Sequence, residues 1–177
     1  MGTFWDKQSV VLLHPPKTGG TALRKLFTIK LGPGRNTGMR HVYMSEICQH
    51  RDILGGLPPE EVTWLITVRH PYERMVSAYK FFGYYKKGYS MDSFAMEYVK
   101  GGKNQHHRMG CPMVSWLDMP LPVRVYKCEN LSVAFPEIGI SRPSYGPSSD
   151  MLLTDKAVKL ANDAFAADFE RFGYEKE

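Results

Sequence analysis

Two short segments of this chain carry residue types that could bind an anion and act on it. The first reads P-K-T-G-G-T-A at residues 16–22, directly after the apolar run at 9–13. Two adjacent glycines free the backbone, and the N–H groups at a helix start offer an anion the favourable end of the helix dipole. Lys17 adds a full positive charge. A strand followed by this loop and a helix therefore predicts a phosphate site made by Lys17, Thr18, Gly19, Gly20, Thr21 and Ala22.

The position of the lysine separates this loop from that of ATP-hydrolysing enzymes. Their G-x-x-x-x-G-K-[ST] motif places the lysine after the second glycine, whereas Lys17 precedes both glycines here. An ATP-dependent kinase of the P-loop type stays open as an alternative, but the residue order favours a different phosphate donor.

The second segment begins where the β-rich apolar run at 63–68 ends, at Arg69. Pro71 suits the first turn of a following helix. Ser77 then falls in the second helical turn, on the same face as Arg74. We expect Arg69 and Ser77 to hold a second phosphate. The alternative is that Arg69 and Arg74 are surface ion-pair partners, as arginines near a helix start often are.

Together, P-K-T-G-G-T and R-x-P-x-x-R-x-x-S-x-Y resemble the two nucleotide-binding signatures of sulfotransferases. The chain is most similar to the carbohydrate sulfotransferases of the heparan 2-O-sulfotransferase type and their bacterial relatives. Residues 125–131 are similar to the family's strand ending in E-N-L, and 168–174 to its closing helix. The likeness covers about residues 9–174 and is weakest at about 84–122, where acceptor specificity would lie in this family.

The resemblance implies a co-substrate, 3′-phosphoadenosine 5′-phosphosulfate (PAPS), and no metal. Residues 17–22 would cradle its 5′-phosphosulfate, while Arg69 and Ser77 would hold its 3′-phosphate. The sulfuryl group would move by in-line displacement to a hydroxyl, most simply that of a carbohydrate. Lys17 would be catalytic, because its ammonium can reach the bridging oxygen on which negative charge grows.

A general base is expected on the acceptor side. His41, in the segment R-H-V, resembles the family's G-H-V segment, which supplies a histidine base. Here Arg40 replaces the glycine, and Met39 stands where the family has a second histidine. A structural role for His41 is the alternative, and the base would then be His106, His107 or a carboxylate such as Glu46.

The elements that must position these residues alternate along the chain. Apolar runs predict strands at 9–13, 63–68 and 123–127, and periodicity predicts helices at 21–31, 43–50, 71–83, 92–100, about 110–117 and 154–171. This alternation indicates an α/β fold, a P-loop-like three-layer arrangement with a central, mainly parallel sheet flanked by helices. Both motifs would then lie at carboxyl ends of strands, where such sheets bind ligands.

Length and composition agree with one compact enzyme domain spanning residues 1–177, which by the resemblance would be a single sulfotransferase domain. Apolar residues make up 43% of the chain, and the net charge is +5, with basic residues clustered near the predicted anion sites. A basic cleft would attract a nucleotide and an acidic glycan. A solvated basic surface is the simpler alternative. No zinc pattern, basic helix or R-G-F motif favours nucleic acid, and no histidine–cysteine spacing favours a metal.

Three further expectations concern location, acceptor contacts and activity. No apolar run approaches the length of a membrane span, and three cysteines without a C-x-x-C pair favour a reducing compartment, so we expect a cytoplasmic protein. The aromatic run 79–89 could stack on sugars, although core packing is the simpler expectation for Tyr79, Phe81 and Phe82. Because 177 residues is short for the family, a catalytically degenerate nucleotide-binding module is a non-enzyme alternative.

Overall fold

The computed structural model describes residues 3–36, 41–100, 108–131 and 153–177. These residues form a five-stranded sheet with the strand order β3-β1-β2-β4-β5. The strands are β1 (Thr3–Trp5), β2 (Val10–Leu13), β3 (Arg35–Asn36), β4 (Thr63–Val68) and β5 (Val123–Lys127).

The three predicted strands form the parallel part of this sheet. β2 pairs with β4, and β4 with β5, in parallel, with Leu13 opposite Ile66 and Val68 opposite Lys127. The carboxyl ends of β2 and β4 are therefore adjacent, as the two motifs require. β1 runs antiparallel to both β2 and β3 and extends the sheet at one edge. Neither β1 nor β3 was predicted, because each is too short for an alternating pattern to show.

Six α-helices lie within the described residues. They are α1 (Gly20–Leu31), α2 (Met44–Cys48), α3 (Pro71–Phe81), α4 (Met91–Val99), α5 (Asp155–Ala164) and α6 (Ala166–Phe172). The helix predicted at 110–117 is a short three-ten helix, Met113–Trp116. The helix predicted at 154–171 is divided at Phe165, whose φ of −114° departs from helical geometry.

Alternation along the strands distributes the core between two faces of the sheet. On one face, the side chains of Val11, Leu13 and Trp64 pack with residues of α2 and α6. On the other face, Leu12 and Leu65 pack against α1. The α/β class with helices on both faces of the sheet is thus confirmed. A further apolar cluster joins α3, α4, α5 and α6.

None of the helices in residues 3–36, 41–100, 108–131 or 153–177 combines the length and hydropathy of a transmembrane span.

Candidate functional site

The loop between β2 and α1 is anchored to the sheet by Thr18. This residue is fully buried, and its hydroxyl donates to the carbonyl oxygen of Pro15 at 2.7 Å. Because the one hydroxyl proton is used there, the 2.8 Å contact between Thr18 Oγ1 and Thr67 Oγ1 has Thr67 as its donor. The Thr18 side chain is therefore an anchor to β4. Only its backbone N–H remains suited to the anion-binding role predicted for it.

The first turn of α1 decides which backbone groups can face an anion. The amides of Ala22 and Leu23 both donate to the carbonyl of Gly19, at 2.9 and 3.3 Å. Helix geometry leaves the amides that precede them without intrahelical acceptors. The amides of Gly20 and Thr21 are thus better placed for an anion than that of Ala22, which was predicted alongside them.

Both glycines of the loop are also required by close packing. A Cβ atom at Gly20 would lie 2.1 Å from Cδ2 of the His14 ring. A Cβ atom at Gly19 would lie 2.7 Å from Sγ of Cys128, and Gly19 itself is left-handed, with φ of 80°. The loop is therefore packed between the end of β2 and the residues that follow β5.

This packing predicts a stability effect that is separate from ligand binding. Gly19→Ala and Gly83→Ala both place alanine at a left-handed position, but the added methyl group meets Cys128 only at Gly19, since Gly83 has nothing within 4 Å. We expect Gly19→Ala to lower the free energy of unfolding by roughly 1–3 kcal/mol more than Gly83→Ala. Urea denaturation of both variants measures the difference. Equal losses would show that backbone strain alone determines the cost.

The two predicted motifs bring two positive charges together. Arg69 follows β4 directly and is only 7% exposed, and its charge lowers the pKa of Lys17, although burial of the lysine is the larger cause. Arg69 Nη2 also donates to Glu73 Oε2 at 3.1 Å. Glu73 offsets part of this positive charge, and an anion bound beside Lys17 and Arg69 would offset more of it. The adjacent carboxyl ends of β2 and β4 are therefore a candidate anion site.

The Lys17 ammonium lies over an exposed aromatic ring. Its Nζ atom is 4.0 Å from the ring centroid of Phe81, a distance suited to a cation–π interaction. Phe81 is 63% exposed, so the expectation that core packing explains this residue is wrong. It is the last residue of α3, beyond the buried cluster that contains Tyr79. For Tyr79, which is 6% exposed, the core expectation is confirmed.

Ser77 and Arg74 lie on α3, as predicted, but their surroundings differ from a surface site. Ser77 is 7% exposed and lies in the second turn. Arg74 is 1% exposed, and it donates to the carbonyls of Pro16, Met109 and Cys111. The alternative that Arg69 and Arg74 are surface ion-pair partners is therefore wrong for Arg74. For Arg69, the pair with Glu73 exists but is largely buried.

His41 lies beside the β2 end of the loop, and its tautomer follows from its partner. The Nδ1 atom is 2.8 Å from the carbonyl oxygen of His14. Because a carbonyl oxygen can only accept, Nδ1 carries the hydrogen, and Nε2 is the nitrogen that accepts a proton in the neutral ring. Burial lowers the pKa of His14 well below its usual range. His14 is therefore neutral near pH 7 and shapes the site through its ring and carbonyl.

Glu46 was the carboxylate named as an alternative base. It forms two hydrogen bonds with Arg108, at 2.6 and 2.7 Å, and these bonds are the main cause of a pKa below its ordinary value. Arg108 also stacks on Tyr43, with its Cζ atom 3.7 Å from the ring centroid. A carboxylate held in this way is a weak proton acceptor, so His41 is the better candidate base. His106 and His107 lie outside the described residues.

A carboxylate after β5 links two strand ends, and its contacts were not predicted from the sequence. Glu129 accepts from the backbone N–H of His70 at 2.7 Å and from the Tyr174 hydroxyl at 3.1 Å. His70 directly follows Arg69, so Glu129 helps to position the second motif. The available signal was the resemblance of this segment to the family's E-N-L strand end.

No protein-family model, curated protein or solved structure matches this chain. Among the residues that the structure describes, no group of three or more histidine, cysteine, aspartate or glutamate side chains is arranged to hold a metal ion. The likeness to sulfotransferases therefore rests on the sequence motifs alone.

Proposed function

We propose that this chain is a PAPS-dependent sulfotransferase with a P-loop-like domain, and that it transfers the sulfuryl group to a hydroxyl of a carbohydrate. One observation carries the proposal: β2 and β4 are adjacent parallel strands, so the two junctions that follow them, with Lys17 and Arg69, lie at neighbouring carboxyl ends of the sheet. A nucleotide with phosphates on both its 5′ and 3′ positions would present one phosphate to each of these two junctions.

The chain supplies a group for each side of an in-line displacement. The acceptor hydroxyl oxygen forms a bond to sulfur while the bond from sulfur to the 5′-phosphate oxygen breaks. His41 Nε2 takes the hydroxyl proton, and Lys17 stabilises the negative charge on the departing phosphate. The products are a sulfate ester and adenosine 3′,5′-bisphosphate, so atoms and charges balance without a metal.

Location and acceptor are part of the same proposal. The thiols of Cys48, Cys111 and Cys128 are all free, which supports a reducing compartment, and we propose the cytoplasm. The partners would be the nucleotide donor and a glycan or another hydroxyl compound. The basic residues near the site suit an acidic acceptor, since their charge would raise its local concentration.

Ligand-dependent melting tests the donor. Adenosine 3′,5′-bisphosphate should raise the melting temperature far more than AMP, ADP or ATP with magnesium. Only the bisphosphate has both a 5′-phosphate for the loop at residues 17–22 and a 3′-phosphate for Arg69 and Ser77. A ligand at about 100 times its Kd stabilises by about 2.7 kcal/mol. Arg69→Ala should remove most of the preference for the bisphosphate over AMP. Arg51→Ala, at an exposed arginine, is the matched control and should change nothing.

The same experiment separates the alternatives. Equal stabilisation of the parent by AMP and the bisphosphate would contradict the proposed donor. A preference for ATP with magnesium would favour a kinase. Strong binding of the bisphosphate without turnover of labelled PAPS across a panel of glycan acceptors would indicate a degenerate module. If turnover is found, EDTA should leave its rate unchanged.

A further inference from the structure

Arg74 is a buried cation, and each of its three guanidinium nitrogens donates to a backbone carbonyl. Nε donates to Pro16 at 3.1 Å, while Nη1 and Nη2 donate to Cys111 and Met109, each at 2.8 Å. A buried charge is costly unless its hydrogen bonds are satisfied, so this arrangement must be specific. A planar guanidinium can serve three acceptors in fixed directions, whereas an ammonium cannot reproduce that fork.

One of these bonds controls the backbone beside Lys17. Lys17 has φ of 65°, a left-handed conformation that an L-residue keeps only when its surroundings impose it. On one side, Arg74 holds the Pro16 carbonyl, and on the other, Thr18 is bonded to Thr67. The backbone of Lys17 is therefore clamped between two buried anchors.

The other two bonds reach the segment that supports His41. Met109 and Cys111 follow Arg108, whose Nη1 donates to the carbonyl of His41 at 3.1 Å. The same segment is held further along, where the buried carboxylate of Asp168 accepts the amides of Met113 and Val114, both at 2.8 Å. Arg74 thus connects the Lys17 loop to the segment beside the candidate base.

We propose that Arg74 is a positioning residue that fixes the Lys17 loop against segment 108–114. It thereby sets the geometry of the site for the 5′-phosphate end of the donor. This inference rests on the proposed function. The 3′-phosphate site assigned to Arg69 and Ser77 does not involve the Pro16 carbonyl. Replacing Arg74 should therefore weaken binding of the 5′-phosphate more than binding of the 3′-phosphate.

Three nucleotides distinguish this role from a general structural one. Arg74→Lys keeps the charge and most of the volume but loses the three-way bonding. By isothermal titration, we expect this variant to bind AMP and adenosine 3′,5′-bisphosphate about tenfold more weakly than the parent does, which is the effect of losing a hydrogen-bonded contact. Adenosine 3′-phosphate should bind within about twofold of the parent, since its contacts do not depend on this loop.

Two further variants complete the test. Thr18→Val removes the other anchor and should show the same selectivity, whereas Lys159→Met, at an exposed lysine on α5, should affect none of the three nucleotides. Arg74→Met is the second substitution at the site. If neither Arg74 variant folds, the nucleotide affinities of Thr18→Val decide the test. Equal loss of affinity for all three nucleotides in that variant would overturn the positioning of the Lys17 loop by its two anchors.

The outcomes that contradict the inference differ from those that contradict the proposed function. Equal losses for all three nucleotides in folded Arg74 variants, or unchanged AMP binding, would overturn the positioning role alone. A parent protein that binds none of the three nucleotides would overturn the proposed function, and the positioning role with it.

Discussion

Replacing Lys17 by alanine should lower turnover by about 100- to 1000-fold, the loss typical when one group that stabilises developing charge is removed. Binding of adenosine 3′,5′-bisphosphate should fall much less, because the amides at the start of α1 and the Arg69 side chain remain. The ammonium interacts most strongly when the bridging oxygen carries its greatest negative charge, in the transition state. Single-turnover rates with labelled PAPS, set beside titration with the bisphosphate, measure the two losses.

Lys25→Ala is the matched control for Lys17→Ala, because Lys25 is an exposed lysine on α1. It should leave both measurements near those of the parent. Equal losses of turnover and of bisphosphate affinity in Lys17→Ala would assign Lys17 to binding alone.

The pKa of Lys17 gives the same prediction a pH dependence. Burial, and then the charge of Arg69, lowers this pKa from its ordinary value. The ammonium therefore loses its proton at a lower pH than an ordinary lysine, whose pKa is about 10.4. The kcat/KM for PAPS, which reports the ligand-free protein to which this shift applies, should be full while Lys17 is protonated and should decline on the alkaline side before that value. A rate that stays constant to higher pH would contradict the assigned charge state.

Replacing His41 should lower transfer by about 100- to 10,000-fold, the usual contribution of a positioned general base. Nucleotide affinity should be kept. His41→Asn is the informative partner of His41→Ala, since asparagine tolerates the left-handed φ of 53° at this position, and its amide can donate to the His14 carbonyl as Nδ1 does. Asparagine cannot accept the proton, so both variants should lose transfer, but His41→Asn should be the more stable.

The parent and the two variants together decide the role of His41. His50→Ala, at an exposed histidine, is the control and should leave transfer unchanged. If folded His41→Ala or His41→Asn kept more than about a tenth of parent turnover, the loss would be too small for a general base. His106 and His107 would then be the next residues to replace.

The central strands could be predicted because their apolar runs are bounded by turn residues and are long enough to show a pattern. β2, β4 and β5 meet that condition, whereas β1 has three residues and β3 has two. These short strands form through pairing with other strands, as when Phe4 pairs with Val11 on one side and with the distant Arg35 on the other. Periodicity carries no information about such pairing. The division between α5 and α6 was missed because Phe165 continues the apolar pattern across it.

Within the site, the sequence predicted which charges converge but not what holds them. Lys17 and Arg69 approach because parallel strands place their carboxyl ends together. Arg74 was expected to lie on α3, but its acceptors are backbone carbonyl groups 35 to 58 residues away. Because every residue type has a backbone carbonyl, the sequence does not mark which ones accept these bonds. Phe81 was misjudged because helical spacing gives the face of a residue but not where the neighbouring core ends.

Four of the five positions of the P-K-T-G-G loop contact different parts of the chain. Pro16 meets Arg74, Thr18 meets Thr67, Gly19 meets Cys128, and Gly20 meets His14. A substitution in this loop can thus abolish activity by disturbing a neighbour, with no contact to a ligand at all. Mutational sensitivity here is consequently a poor guide to which atoms bind the donor. Variants matched in unfolding free energy are needed before a loss of activity is attributed to ligand contact.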